Sequence, residues 1–131
     1  MIAEIVAGLL PENVAVFDTD ASHADLSRLP YVLILGRDGV RGEEESVTGR
    51  DSADGEVTVR AVGQSRWQVE SVLARVRLGL DRRRRKVGGR LVDFTVVESR
   101  GLFVDRDVTI PGGSGSPLFA DDVYEISSQP I

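Results

Sequence analysis

One histidine, a few neighbouring carboxylates and a glycine-serine stretch are the parts of this sequence whose residue types could support bond-making chemistry. His23 stands among Asp18, Asp20, Ser22 and Asp25, a set that could hold a metal ion or activate a hydroxyl. Such a site needs several convergent groups, and the segment reads better as a polar connection built from Asx turns. There is no cysteine and no second histidine, so a zinc site lacks ligands, and the carboxylates do not follow the loop spacing of a calcium hand. Residues 112–116 have the composition of a phosphate cradle. No lysine follows them, however, and no helix is predicted to start there and aim its amides at an anion. They read as a flexible tether. A chain without a nucleophile-base pair or a metal set is expected to be no enzyme and to need no cofactor.

The sharpest feature is the run Arg82, Arg83, Arg84, Arg85 and Lys86. Net charge is −5 overall, and its distribution is uneven: residues 1–56 carry −8, residues 57–90 carry +8 and residues 91–131 carry −5. One reading of the run is a solvated helix end, where cations complement the carbonyl dipole. Another is docking to an acidic surface, for which Glu43, Glu44 and Glu45, with Asp51 and Asp54, of a neighbouring copy are available. DNA binding is a third, opposed by the negative total charge. Trp67, beside Arg66 at a predicted helix start, reads as core or as a lid over the sheet edge, with an interface anchor as the alternative.

The elements that must position these residues follow from hydrophobic spacing. A chain of 131 residues with 41% apolar and 28% charged side chains has the size and balance of one folded domain. The start carries Glu4, lacks a basic stretch and runs into Pro11, unlike a signal peptide, and no stretch approaches the ~20 apolar residues of a membrane span. A soluble protein of the cell interior, or of a particle built there, is expected. Ile2, Ile5, Val6, Leu9 and Leu10 lie at helical spacing and Pro11 ends that helix. A short strand is expected over 14–17, then a polar loop or single helical turn over 18–28.

Residues 31–35 (Tyr-Val-Leu-Ile-Leu) are apolar on both faces, as in a central strand covered above and below. Residues 36–55 read as a long exposed loop or loose hairpin, a length that is often functional. From 56 to 62, Val57, Val59 and Ala61 alternate with Thr58 and Arg60, the pattern of a half-buried strand. Ser65 and Gln68 form a capping-box signature. The helix they open is expected to reach about residue 83, with Val69, Val72, Leu73, Val76 and Leu80 on one stripe. Burying those five side chains offers roughly 1.5–3 kcal/mol each before entropy is subtracted. A hairpin of strands 91–98 and 102–110 around Ser99, Arg100 and Gly101, a Gly/Ser loop over 111–117 and a last strand over 122–127 complete the chain. The expected fold is α+β, a single mainly antiparallel sheet with two principal helices packed on it, forming one domain over 1–131.

The amphipathic first helix, the string Pro30-Tyr31-Val32-Leu33-Ile34-Leu35, the passage from Val57 through Gly63 and Ser65 into Val69 to Leu80, and the closing Asp122-Val123-Tyr124-Glu125-Ile126 together resemble the tail terminator, or tail completion, proteins of long-tailed bacteriophages. The resemblance covers nearly the whole chain but leaves the basic run and the Gly/Ser loop without an assigned role. It implies a homohexameric ring that binds the head-proximal end of the tail tube, stops its polymerisation and offers a docking surface to the head completion or connector protein. The genome would pass through its lumen without specific binding, and Glu43, Glu44 and Glu45 are candidates to face it. The implied location is the neck of the virion, after assembly in the host cytoplasm, with no membrane partner. In a ring each subunit presents two different patches, which the split charge blocks suit. Another phage neck or connector protein, or a small nucleic-acid-binding module using the arginine run, are the alternatives.

Overall fold

The structure is a computed structural model, and it describes residues 2–18, 29–35, 53–87, 89–106 and 115–130. The loops expected over 18–28, 36–55 and 111–117 therefore fall largely outside the described residues, as do His23 with Asp20 and Asp25 and the acidic triplet Glu43, Glu44 and Glu45.

Among the described residues the elements are, in chain order, α1 (Ile2–Leu9), β1 (Ala15–Asp18), β2 (Tyr31–Leu35), β3 (Ala53–Gly63), α2 (Arg66–Leu80), β4 (Arg83–Val87), β5 (Arg90–Val104) and β6 (Leu118–Pro130). The strands form one sheet in the order β1-β2-β3-β6-β5-β4, with β1 parallel to β2 and the remaining neighbours antiparallel.

The expected sheet with two principal helices on it is overturned: the described residues are mostly strand, and among them one sheet of six strands curls into a half-barrel. Three strands of 11, 15 and 13 residues dominate, and strands of that length accumulate enough right-handed twist to coil the sheet. The helix α1 has only 8 residues and packs at one end, on β1 and α2. The difference arises at two places. Residues 99–101 do not turn back as a hairpin; they continue β5, whose register against β6 shifts between Val96 and Glu98 and again between Arg100 and Phe103. Such irregularities take up extra residues and bend a strand without ending it. The basic run, in turn, is not a helix end but the edge strand β4.

The main core lies on the inner face of the curl. There α2 contributes Val69, Val72, Leu73, Val76 and Leu80, all buried, against Val57, Val59, Ala61, Val92, Phe94, Tyr124 and Ile126 of the sheet, while Ile2 and Val6 of α1 close one side. The start of α2 is fixed by its cap: Ser65 Oγ accepts from the Gln68 amide at 3.2 Å, and Gln68 Oε1 accepts from the Gln64 amide at 2.7 Å. The reciprocal bond thus reaches one residue further back than the usual box. The strand β2 is buried on both faces, but it is second from the edge rather than central. Val32 and Ile34 enter the main core, and Tyr31 and Leu33 join a smaller outer cluster with Val62, Phe17, Leu29, Leu35 and Phe119.

Candidate functional site

The end of α2 determines how the basic run is displayed. Asp81 leaves the helix in an extended conformation, its amide donating to Arg77 O at 2.9 Å, while its Oδ1 accepts from the Val96 amide of β5 at 2.8 Å. Arg82 takes a left-handed φ of 57° and donates its amide to Phe94 O at 2.7 Å. The chain is therefore turned out of the helix and laid along β5 as β4, with Arg84 opposite Asp93 and Arg85 opposite Val92.

Alternation along a strand divides the run between two faces. Arg84 pairs with Asp93 at 3.0 Å on the outer face, which holds its guanidinium above the usual arginine range through that hydrogen bond. Arg85 turns inward and donates from Nη2 to Gly79 O at 2.8 Å, satisfying one of the last carbonyls of α2. Arg82, Arg83 and Lys86 are exposed and have neither an ion pair nor a hydrogen bond from their side chains among the described residues. Among the described residues β4 has a strand neighbour on one side only, so it presents both cations and unpaired backbone groups at the sheet edge.

Trp67 is neither core nor lid. Its side chain stands 76% exposed on α2, and Leu78, 11 residues on and so nearly on the same helical face, is 75% exposed. Val97, Phe103 and Val104 of β5 are about half exposed. Two ion pairs that the sequence did not disclose brace the curl. On the outer face Arg60 grips Asp121 through Nε at 2.8 Å and Nη2 at 3.0 Å and lies 4.5 Å over the Phe119 ring. On the inner face Arg77 of α2 grips Asp122 of β6 through Nη2 at 2.8 Å, and the Ser99 hydroxyl of β5 donates to the same carboxylate at 2.7 Å. Both guanidiniums are held above the ordinary arginine range, first by the hydrogen bond to their carboxylate. The Ser99 hydroxyl and the Arg77 guanidinium share the Asp122 carboxylate, so the contact braces α2 against β5 and β6. Among the described residues no group of three or more carboxylate or imidazole side chains is placed to hold a metal.

The two tyrosines provide a check on this packing. Burial raises the phenol of Tyr124 well above its ordinary value of 10.0, and Asp122 adds to the effect; burial and then Asp105 raise Tyr31. A phenol that holds its proton more tightly when folded contributes stability that is complete below the unfolded value and lost as pH rises through the folded one. Native protein is therefore expected to form phenolate only above the ordinary tyrosine value, and the Tyr124 absorbance should appear in step with alkaline unfolding followed by circular dichroism. Phenolate formation in a chain that is still folded at its ordinary pH would contradict the burial of both rings.

No family model matches the chain, and no curated protein matches it.

Proposed function

We propose that this chain is a structural subunit that assembles head to tail into a ring, and that the ring is the terminator of a long-tailed phage tail. In this reading it caps the head-proximal end of the tail tube, stops tube growth and receives the head completion or connector protein, with the genome passing through its lumen. Six copies, a virion neck location and the absence of enzymatic activity belong to the same proposal, which rests on the sequence resemblance set out above.

The observation that carries the assembly is the shape and chemistry of the sheet. Among the described residues the curled sheet ends on unlike strands, the four-residue β1 at one side and the cationic β4 at the other, and so offers a neighbour two different surfaces. Unlike surfaces favour heterologous contacts, and these close into a ring when the rotation between subunits divides the circle. Trp67 and Leu78 add two exposed large apolar side chains on nearly the same face of α2. The test is the mass of the purified protein by light scattering, negative-stain images, and the length of tail tubes polymerised with and without it. Rings and tubes of shortened, uniform length are expected. A chain that remains single at every concentration and leaves tube length unchanged would end the reading.

A second reading, phosphate binding by β4, draws on the exposed and unpaired Arg82, Arg83 and Lys86. It requires a mobility shift of short DNA that weakens steeply with salt.

A further inference from the structure

Glu56 of β3 and Glu125 of β6 are direct cross-strand partners, both exposed and neither engaged in an ion pair or hydrogen bond among the described residues. Like charges set directly opposite each other in a sheet repel. Beside Glu125 the outer face is hollowed into a depression of about 270 Å³ over Gly55, bordered by Asp93, Thr95 and Ser127. The nearby charges give little relief. Asp93 is already matched by Arg84, and Arg100, which feels the field of Glu56, is tied to Glu98.

Among the described residues, the unpaired cations of β4 do not reach this acidic face within one chain. Lys86 lies opposite Leu91, which in turn lies opposite Gln129, so it stands two strands across and four residues along from Glu125. That separation is about 10 Å by about 13 Å. Arg83 is level with Phe94 and Ile126, close to Glu125 along the strand, but it shares the inner face with that ring. Among the described residues, then, the acidic pair has no cation bound to it and Arg83 and Lys86 have no anion, and the fold keeps the two apart.

We propose that the β4 edge of one copy docks on the Glu56/Glu125 face of the next, with Arg83 and Lys86 supplying the missing positive charge. This rests on assembly between copies, as in the proposed function, and names the contact that makes it. The two patches lie on different parts of one chain, so the contact is head to tail and can be propagated around a ring. Nucleic acid fits β4 less well. Two of its four cations are already bonded within the chain, and the chain as a whole carries −5.

Charge exchange on the full chain tests the contact. One variant carries Glu56→Lys and Glu125→Lys, the other Arg83→Glu and Lys86→Glu; all four positions are exposed, and circular dichroism confirms that each variant folds. Wild type is expected to assemble in light scattering, and each variant alone to assemble at least tenfold more weakly. An equimolar mixture should recover assembly, because each variant then presents the charge its neighbour now needs, and so should all four substitutions in one chain. If a variant fails to fold, Glu56→Gln with Glu125→Gln replaces the acidic-face reversal and Arg83→Gln with Lys86→Gln the basic one. Each is expected to weaken assembly without restoring it in the mixture. Variants that assemble like wild type, or reversed variants that the mixture does not rescue, overturn the contact. So does loss of DNA binding in the Arg83/Lys86 variant with assembly untouched. A wild type that never assembles overturns both the contact and the ring, whereas charge-sensitive assembly that leaves tail tubes unaltered upholds the contact and removes only the phage role.

Discussion

Arg77→Ala is expected to destabilise the protein by about 3–5 kcal/mol, because it leaves a buried carboxylate without its counter-charge. Asp122 is 1% exposed whereas the Arg77 side chain is 43% exposed, and that asymmetry decides which partner matters more. After loss of Arg77 the buried carboxylate keeps, among its side-chain partners, only the Ser99 hydroxyl. After Asp122→Asn the guanidinium can turn into solvent, and the amide still accepts one hydrogen bond, so a cost of about 1–3 kcal/mol is expected. Urea denaturation of the two variants at neutral pH measures the difference. A larger loss for Asp122→Asn than for Arg77→Ala would mean that the pair does not brace the curl in the way its geometry indicates. The consequence extends to assembly, since this pair joins α2 to β6 and, through Ser99, to β5, and those three elements set the curvature on which a ring depends.

The helices and strand cores were legible in the sequence where burial is periodic. The stripe from Val69 to Leu80 and the alternation of Val57, Val59 and Ala61 each point to one face, and the structure buries each of those residues. What misled was local composition. Ser99, Arg100 and Gly101 have the chemistry of a turn, yet β6 offers a continuous partner and the strand absorbs the surplus by shifting register. Consecutive arginines following a helix resemble a helix end, and only the long-range bonds from Arg82 to Phe94 and from Asp81 to Val96 show the chain turning out into a strand.

The candidate site was legible only as charge. That Arg82 to Lys86 are cationic is plain in the sequence, but which of them are already engaged depends on pairings with Asp93 and Gly79 that no local pattern encodes. Glu56 and Glu125 lie 69 positions apart and become neighbours solely through the register of β3 on β6. Trp67 illustrates the opposite error. A large apolar residue beside a helix cap suggests core, but its position falls off the buried stripe, and helical phase outweighs residue type.

Phe94→Ala is expected to cost about 3–5 kcal/mol, the usual loss when a fully buried aromatic ring is truncated, and to release the β4 edge more than it disturbs the rest of the sheet. The ring is fully buried in the main core, and the backbone of the same residue accepts the Arg82 amide and is the register partner of Arg83 and Ile126. The cavity would open where α2, β4, β5 and β6 meet, so the turn that lays the basic run along the sheet loses its floor. Hydrogen exchange should accelerate first at the amides of β4, and a denaturant midpoint should fall accordingly. Trp67→Ala, by contrast, removes a side chain that is mostly in water and should change stability by no more than about 0.5 kcal/mol, while weakening assembly if the face it shares with Leu78 is covered in the ring. Equal losses of stability from the two substitutions would contradict the separation of core from surface on which both the fold and the proposed contact depend.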